Sequence, residues 1–435
     1  VIIMSVRQTV EGGVRDAVRA AAMAGLRARG DVLGQLMSPK MITDPYPTYR
    51  RLREQGPVVE TAMGAISLRY AICGPLLRHP STVTGTSMRR EITAGTGKVQ
   101  QWLFGSPSRD GLVDPTGPDS MISKNPPDHT RLRKLVSKVF TPASIGALRP
   151  RLTEIAAGLV DRARTADSFD LMRDVAGVFP VLAICEILAI PQPDHERFRQ
   201  WGSDLAADLD AMAPAARQRA ANASLEALQG YFVDLVAARR QSPGDDLVSG
   251  LIAVEEEGER LTTNELLATC MLLLFAGFET TVNLIGNGAL ALIQNQDQLR
   301  LLRDDHELIP GAVEELLRFD PPIQLSSRVP TIDIEIDGTV LPAGRPVSLM
   351  LAGANRDPEV FTDPDRLDVT RANARKHLSF AAGPHHCLGA ALARLEAEIM
   401  FRLLLERLGD LRPAGEPRRR PTFVLRGLTS LPLHS

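Results

Sequence analysis

The residues best placed for chemistry stand in the stretch SFAAGPHHCLGAALARLEAEIM, Ser379 to Met400. Here Cys387 follows His385 and His386 in a glycine-rich turn that opens onto a helical pattern. As a core residue this cysteine would be ordinary, because free cysteines are often buried. Yet Gly383, Pro384 and Gly389 describe a shaped loop rather than a packed interior. As a nucleophile it needs a histidine base, and such bases usually come from a distant part of the chain. As a zinc ligand it lacks company at tetrahedral-site spacing. A fourth use fits the stretch better: the single axial thiolate of a haem iron, whose other ligands the porphyrin supplies. The positive end of the following helix would then face the sulfur. Ala390 and Ala391 are small enough to press against a flat ring, and Phe380 could shield the sulfur from water.

A second constellation is AGFETT, residues 276–281, inside a long apolar run. Glycine costs about 1 kcal/mol against alanine in a helix interior, and a buried carboxylate costs far more without a partner. Two readings satisfy the pattern. Either the helix bends and Glu279 finds a buried arginine, or it widens beside a cavity where Glu279 and Thr280 manage protons. Glu315 and Arg318 form a third group, spaced to share one helix face. Alone they are an everyday ion pair. Arg366, in the loop FTDPDRLDVTR, could complete a glutamate gripped by two arginines.

These groups need elements to position them. LTTNELLATCMLLLFAGFETTVNLIGNGALALIQNQ predicts one helix from Thr263 to about Gln294, roughly 48 Å long at 1.5 Å per residue. Thr262 and Glu265 form its capping box. Its first half is apolar around most of the circumference, which predicts burial, and the apolar run stops short of the ~20 residues of a membrane span. Helical spacing also runs through PASIGALRPRLTEIAAGLVDRAR and ASLEALQGYFVDLVAARRQ. Residues 83–128, rich in Gly, Ser, Thr and Pro, predict a long loop of the kind that covers binding sites. In TIDIEIDGTVLPAG, Ile332, Ile334 and Ile336 alternate with acids ahead of the hairpin signal Asp337-Gly338. Phe423, Leu425 and Leu428 predict a further sheet element near the end. The fold class is therefore mainly α with a small segregated β region. No linker divides the chain, so residues 1–435 read as a single domain with 1–43 as an N-terminal extension.

Composition narrows the function. With 435 residues and a formal net charge of −2, nothing favours a nucleic-acid partner held by bulk charge. Cysteines at 73, 185, 270 and 387 show no paired spacing, which points to a reducing, cytoplasmic setting. The opening Val1-Ile2-Ile3-Met4 reads as a remnant before a start at Met4, without an export signal. The segment VRDAVRAAAMAGLRARG is expected to dock on the protein's own body rather than on a membrane.

Taken together, the motifs identify a resemblance. Phe380-x-x-Gly383-x-His385-x-Cys387-x-Gly389 is similar to the haem-thiolate signature of the cytochrome P450 monooxygenases. AGFETT resembles that family's oxygen-activating helix motif, and Glu315, Arg318 and Arg366 resemble its Glu-Arg-Arg cluster. The likeness runs from about Asp44 onward and is strongest to soluble actinobacterial members, mycobacterial ones especially. It implies haem b between the long central helix and the cysteine-bearing helix, with Cys387 as proximal ligand and Phe380 beside it. It implies His129, Arg133, Arg328 and His385 at the propionates, Ala276 and Gly277 bordering the oxygen groove, and Glu279 with Thr280 as the proton-guiding pair.

The implied reaction uses O2, two electrons and two protons to place one oxygen atom in a substrate. No flavin or nicotinamide fingerprint follows a predicted strand, so electrons are expected from NAD(P)H through a separate ferredoxin reductase and ferredoxin. Arg131, Lys134 and Lys138 would offer that carrier a basic patch. Parts of 83–128, Leu272, Phe275, Gln324, Leu325 and Leu428 would line the pocket. Their apolar character implies a lipid, sterol, terpenoid or polyketide. The rival reading is a non-catalytic haem sensor or carrier on the same scaffold.

Overall fold

The helices that carry the site are, in chain order, α1 (Ile2–Ala28), α2 (Asp128–Val139), α3 (Arg149–Ala163), α4 (Phe179–Ile187), α5 (His195–Ala207), α6 (Ala215–Gln241), α7 (Thr263–Gln294), α8 (Ile309–Phe319) and α9 (Ala390–Leu408). The computed structural model describes the chain except residues 1, 63, 85–108, 110, 208–213 and 255–257, and the side chains of 2–11.

Helix α7 has the bounds the sequence predicts, and its capping box is made. The Glu265 N–H donates to Thr262 Oγ1 at 3.2 Å, and the Thr262 N–H donates to Glu265 Oε2 at 2.9 Å. Helices α4, α5, α6, α8 and α9 all pack against it, which is why apolar residues surround it rather than forming one stripe. Contrary to the sequence expectation, α7 is long and apolar enough to cross a membrane. However, 78% of its most apolar window is buried inside the protein.

PASIGALRPRLTEIAAGLVDRAR divides into two helices, Pro142–Ala147 and α3, with Leu148 between them. Pro150 has no N–H to continue the first helix but fits the first turn of the second. Helix α1 docks on the body as expected. The Ala215 N–H, at the start of α6, donates to Asp16 Oδ2 at 3.0 Å, and Arg15 bonds Gln218.

Short strands fill the remainder: β1 (Val59–Thr61), β2 (Gly64–Ser67), β3 (Thr82–Thr84), β4 (Ser168–Asp170), β5 (Ser326–Pro330), β6 (Ile334–Ile336), β7 (Thr339–Leu341), β8 (Val347–Leu349), β9 (Arg418–Arg419), β10 (Leu428–Ser430) and β11 (Pro432–His434). The order β1-β2-β8-β5-β3 makes one five-stranded sheet, and the others pair in twos. β6 and β7 form the predicted hairpin, with Asp337 and Gly338 both at positive φ (50° and 69°) as a tight turn requires. Ile332 lies outside the strand and is exposed. β9 and β10 bring the C-terminal segment over α7, where the Leu428 side chain is fully buried. The fold is mostly helical with small segregated sheets.

Candidate functional site

The Cys387 turn is shaped by backbone geometry. The Cys387 N–H donates to Phe380 O at 2.9 Å and the His386 N–H to Gly383 O at 3.0 Å. Gly383 has φ 70°, and a Cβ there would stand 2.7 Å from Leu77 O and 2.8 Å from Arg78 Cα, so only glycine fits. Cys387 ends the turn just ahead of α9 and is exposed at the surface of the turn. Surrounding protein pushes its thiol pKa up by desolvation, while a Gly389 backbone bond and the charges of Arg133 and Arg394 pull it down.

Around this turn gather two imidazoles and two guanidiniums, those of His129, His385, Arg133 and Arg328. The His129 and His385 rings lie 4.1 Å apart. Buried Arg328, reaching in from β5, donates Nη1 to Ser327 O (2.8 Å) and Ser326 Oγ (3.2 Å), but its Nη2 has no partner, nor has His129 Nδ1. Arg133 donates to the His386 carbonyl at 2.8 Å. Burial, then mutual repulsion, depresses His129 to about 4 and His385 to about 3, and burial alone depresses Arg328 to about 10. Orphaned donors in a buried positive cluster call for an anion. Two propionates beside an exposed sulfur answer that demand, so the residues present fit haem.

Between its end turns, α7 is buried except at Leu273, Ala276, Gly277 and Thr280, which share one face at helical spacing. Ala276 and Thr280 take the open side. Gly277 serves packing instead, since a Cβ there would stand 2.9 Å from Ile184 of α4. The Thr280 hydroxyl donates to Ala276 O at 2.9 Å. Glu279 turns away into the interior, its Oε2 3.0 Å from Arg420 Nη1 and its Oε1 accepting from Arg420 Nη2 at 3.4 Å. Burial raises the Glu279 pKa, and Arg420 and the Ser203 hydroxyl oppose that rise. Glu279 thus has an arginine partner, the half-buried Arg420, while Thr280 lies on the partly exposed face of the helix.

The Glu-Arg-Arg cluster differs from expectation in its third member. Glu315 and Arg318 are fully buried and bonded twice, at 2.6 and 2.7 Å. Arg371, not Arg366, supplies the second guanidinium, with Nε 3.1 Å from both Glu315 oxygens. The Arg366 side chain is exposed, and that residue contributes its carbonyl oxygen to Arg318 and Arg371. The physical reason is the turn in which Asp368 accepts from Thr370, which swings Arg371 back under the loop. An Asp-x-Thr turn just before an arginine was the available signal.

Pocket residues are distributed unevenly. Leu272, Phe275 and Leu428 are buried in the main apolar cluster, and Leu325 packs against the smaller cluster near the N-terminal sheet. Gln324 is held by the fold, accepting from Tyr49 and donating to Pro321 O at 2.7 Å. Of the loop 83–128, residues 85–108 and 110 lie outside the described residues. In the basic patch, Arg131 is committed to Glu265 and Glu259, whereas Lys134 and Lys138 are exposed.

Comparison with known proteins gives concordant findings. A family model described as Cytochrome P450 matches residues 96–425. A putative cytochrome P450 140 of Mycobacterium tuberculosis is 38% identical over 423 residues, covering 96% of this chain and 94% of the relative. A vitamin D(3) 25-hydroxylase of Pseudonocardia autotrophica is 40% identical over 416 residues, covering 94% and 98%. Among solved structures, P450BioI in complex with an acyl carrier protein ligated to hexadec-9Z-enoic acid has a TM-score of 0.80 and 33% identity, covering 91% of this chain and 99% of that one.

Proposed function

The chain belongs to the cytochrome P450 family of haem-thiolate monooxygenases, and from that premise we propose that it oxidises a hydrophobic small molecule with electrons from a separate ferredoxin. The observation that carries the site assignment is the convergence of buried histidine and arginine side chains on the Cys387 turn, with Arg328 Nη2 and His129 Nδ1 left without partners. Cys387 would be the axial ligand, with His129, Arg133, Arg328 and His385 on the propionates and Phe380 beside the sulfur. The bound haem supplies dioxygen activation, so that one oxygen atom enters substrate and the other leaves as water.

The protein's own work is proton control and exclusion of water. Glu279 holds a proton more firmly than an exposed carboxylate because it is buried. Thr280 faces the groove and can exchange its bond to Ala276 O for a bond to a molecule there. The two groups are not bonded to each other, so a proton passing between them needs a water or a turn of the Glu279 side chain away from Arg420. Gating by Arg420 then sets when the proton moves. A carrier protein would have no use for this pair, which favours catalysis over the sensor reading.

The substrate class rests on the apolar walls and on the relatives, one named as a vitamin D(3) hydroxylase and one solved with a fatty acid on its carrier protein. The reading also places the enzyme in the cytoplasm, served by a ferredoxin reductase and NAD(P)H.

The ferrous carbonyl complex tests the assignment. It should show the red-shifted band of thiolate ligation, and Cys387→Ser should abolish it. A band that survives the substitution would remove Cys387 from the axial position.

A further inference from the structure

Helix α8 carries two consecutive glutamates that serve different neighbours. Glu315 holds Arg318 and Arg371, as described. Glu314, also buried, turns toward the cysteine-bearing segment. It accepts from Arg394 Nε at 2.6 Å and from Arg394 Nη2 at 3.1 Å, and its Oε2 lies 3.0 Å from His377 Nε2.

Both partners flank the Cys387 turn. Arg394 stands on α9, and its guanidinium lies 4.5 Å over the Phe380 ring. The His377 ring is 5.7 Å from the same phenyl ring on the other approach to the turn. Phe380 in turn accepts the Cys387 N–H through its carbonyl oxygen. One buried carboxylate thus grips both chain segments that frame the sulfur.

Charge matters as much as position. The Arg394 guanidinium lies over Phe380, whose carbonyl accepts the Cys387 N–H, so its positive charge stands beside the turn that bears the sulfur. Glu314 stays ionised: burial pushes its pKa up, but bonds from His377 and Arg394 pull it down to about 2. In a medium of low dielectric, a fixed anion behind Arg394 cancels much of the cationic field at the sulfur. Partners one shell out from a metal tune it in this way as often as they orient its ligands.

We propose that Glu314 is a positioning residue for the axial thiolate: it clamps Arg394 over Phe380 and offsets the positive charge that Arg394 brings to the sulfur. The inference rests on the haem-thiolate reading above. It separates Glu314 from the neighbouring Glu315, whose bonds go to the loop at 362–371 and not to the cysteine segment.

The test is the reduction potential of the full-length haem protein with single and paired substitutions. Glu314→Gln leaves Arg394 uncompensated and should shift the potential positive, because added positive field favours the electron-richer iron. Arg394→Gln leaves the anion uncompensated and should shift it negative. The double variant should return toward wild type, and Arg394→Lys, which keeps the charge, should stay closer to wild type than Arg394→Gln.

A clamp that merely supports the fold predicts shifts of the same sign from both single variants. That result, or no shift in either, overturns the proposal. Should Glu314→Gln fail to hold haem, the sign from Arg394→Gln decides alone. The ferrous carbonyl band is recorded on the same samples. Its absence from wild type would strike the haem-thiolate reading itself, whereas a normal band with potentials of the wrong sign strikes only the role of Glu314.

Discussion

Glu396 is fully buried on α9, and neither of its oxygens has a hydrogen-bond partner among the described residues. Burial raises its pKa from 4.5 to about 8, with only a small opposing effect from Thr281. At neutral pH the folded protein therefore keeps a proton that the unfolded chain releases. Between about pH 4.5 and pH 8 the wild type should lose stability relative to Glu396→Gln as pH rises, approaching a slope of about 1.4 kcal/mol per pH unit. Denaturant titrations of both proteins across that range check this, and parallel curves would refute a protonated Glu396. Arg420→Ala makes a related prediction for Glu279. Deprived of its cation, that carboxyl should hold its proton more firmly than in the wild type and display a stronger carboxylic-acid infrared band that Glu279→Gln removes. Removing Thr280 by Thr280→Ala should raise peroxide release relative to product, and unchanged coupling would count against its proton role.

At the scale of elements, the loop at 362–371 and helix α8 form one unit through Glu315. Deleting a partner of a buried ion pair costs about 3–5 kcal/mol, because the remaining charge has nowhere to go. Arg371→Ala should therefore lower the melting temperature clearly, while Arg366→Ala leaves it unmoved. Equal effects would restore Arg366 to the cluster. The contrast also marks how far sequence reading reached. The bounds of α7, its capping box and the hairpin at Asp337-Gly338 were legible because each depends on residues a few positions apart. Glu315 with Arg318 was legible for the same reason. Arg371 was missed because the Asp368-x-Thr370 turn, which brings it under the loop, is a weaker signal than the i, i+3 spacing of Glu315 and Arg318. Arg420 lies 141 residues from Glu279, and a bare count of arginines could not single it out. Glu314 was overlooked because its partners are split between two segments that only the fold brings together.

Across the whole molecule, the helices wrap α7 while the sheets gather at the margins, and α1 lies against the start of α6. That contact is local: Asp16 and Arg15 meet the first turn of α6. Removing residues 1–28 should lower the melting temperature by only a few degrees, about 2–4 °C for each kcal/mol lost in a domain of moderate size. The ferrous carbonyl band should be unchanged, and its loss on truncation would mean that α1 supports the haem pocket directly. Relatives align over more than nine tenths of the chain.

The pairing of Glu279 with Arg420 bears on how the protein is made. A ribosome delivers α7 long before the hairpin of β9 and β10, so during synthesis the buried carboxylate waits without its cation. Until Arg420 is made, no guanidinium faces Glu279, and its carboxyl has to be buried without the cation that it meets in the finished fold. The surroundings of Glu279 are therefore completed by a segment made well over a hundred residues after it, not by α7 and its immediate neighbours in the chain.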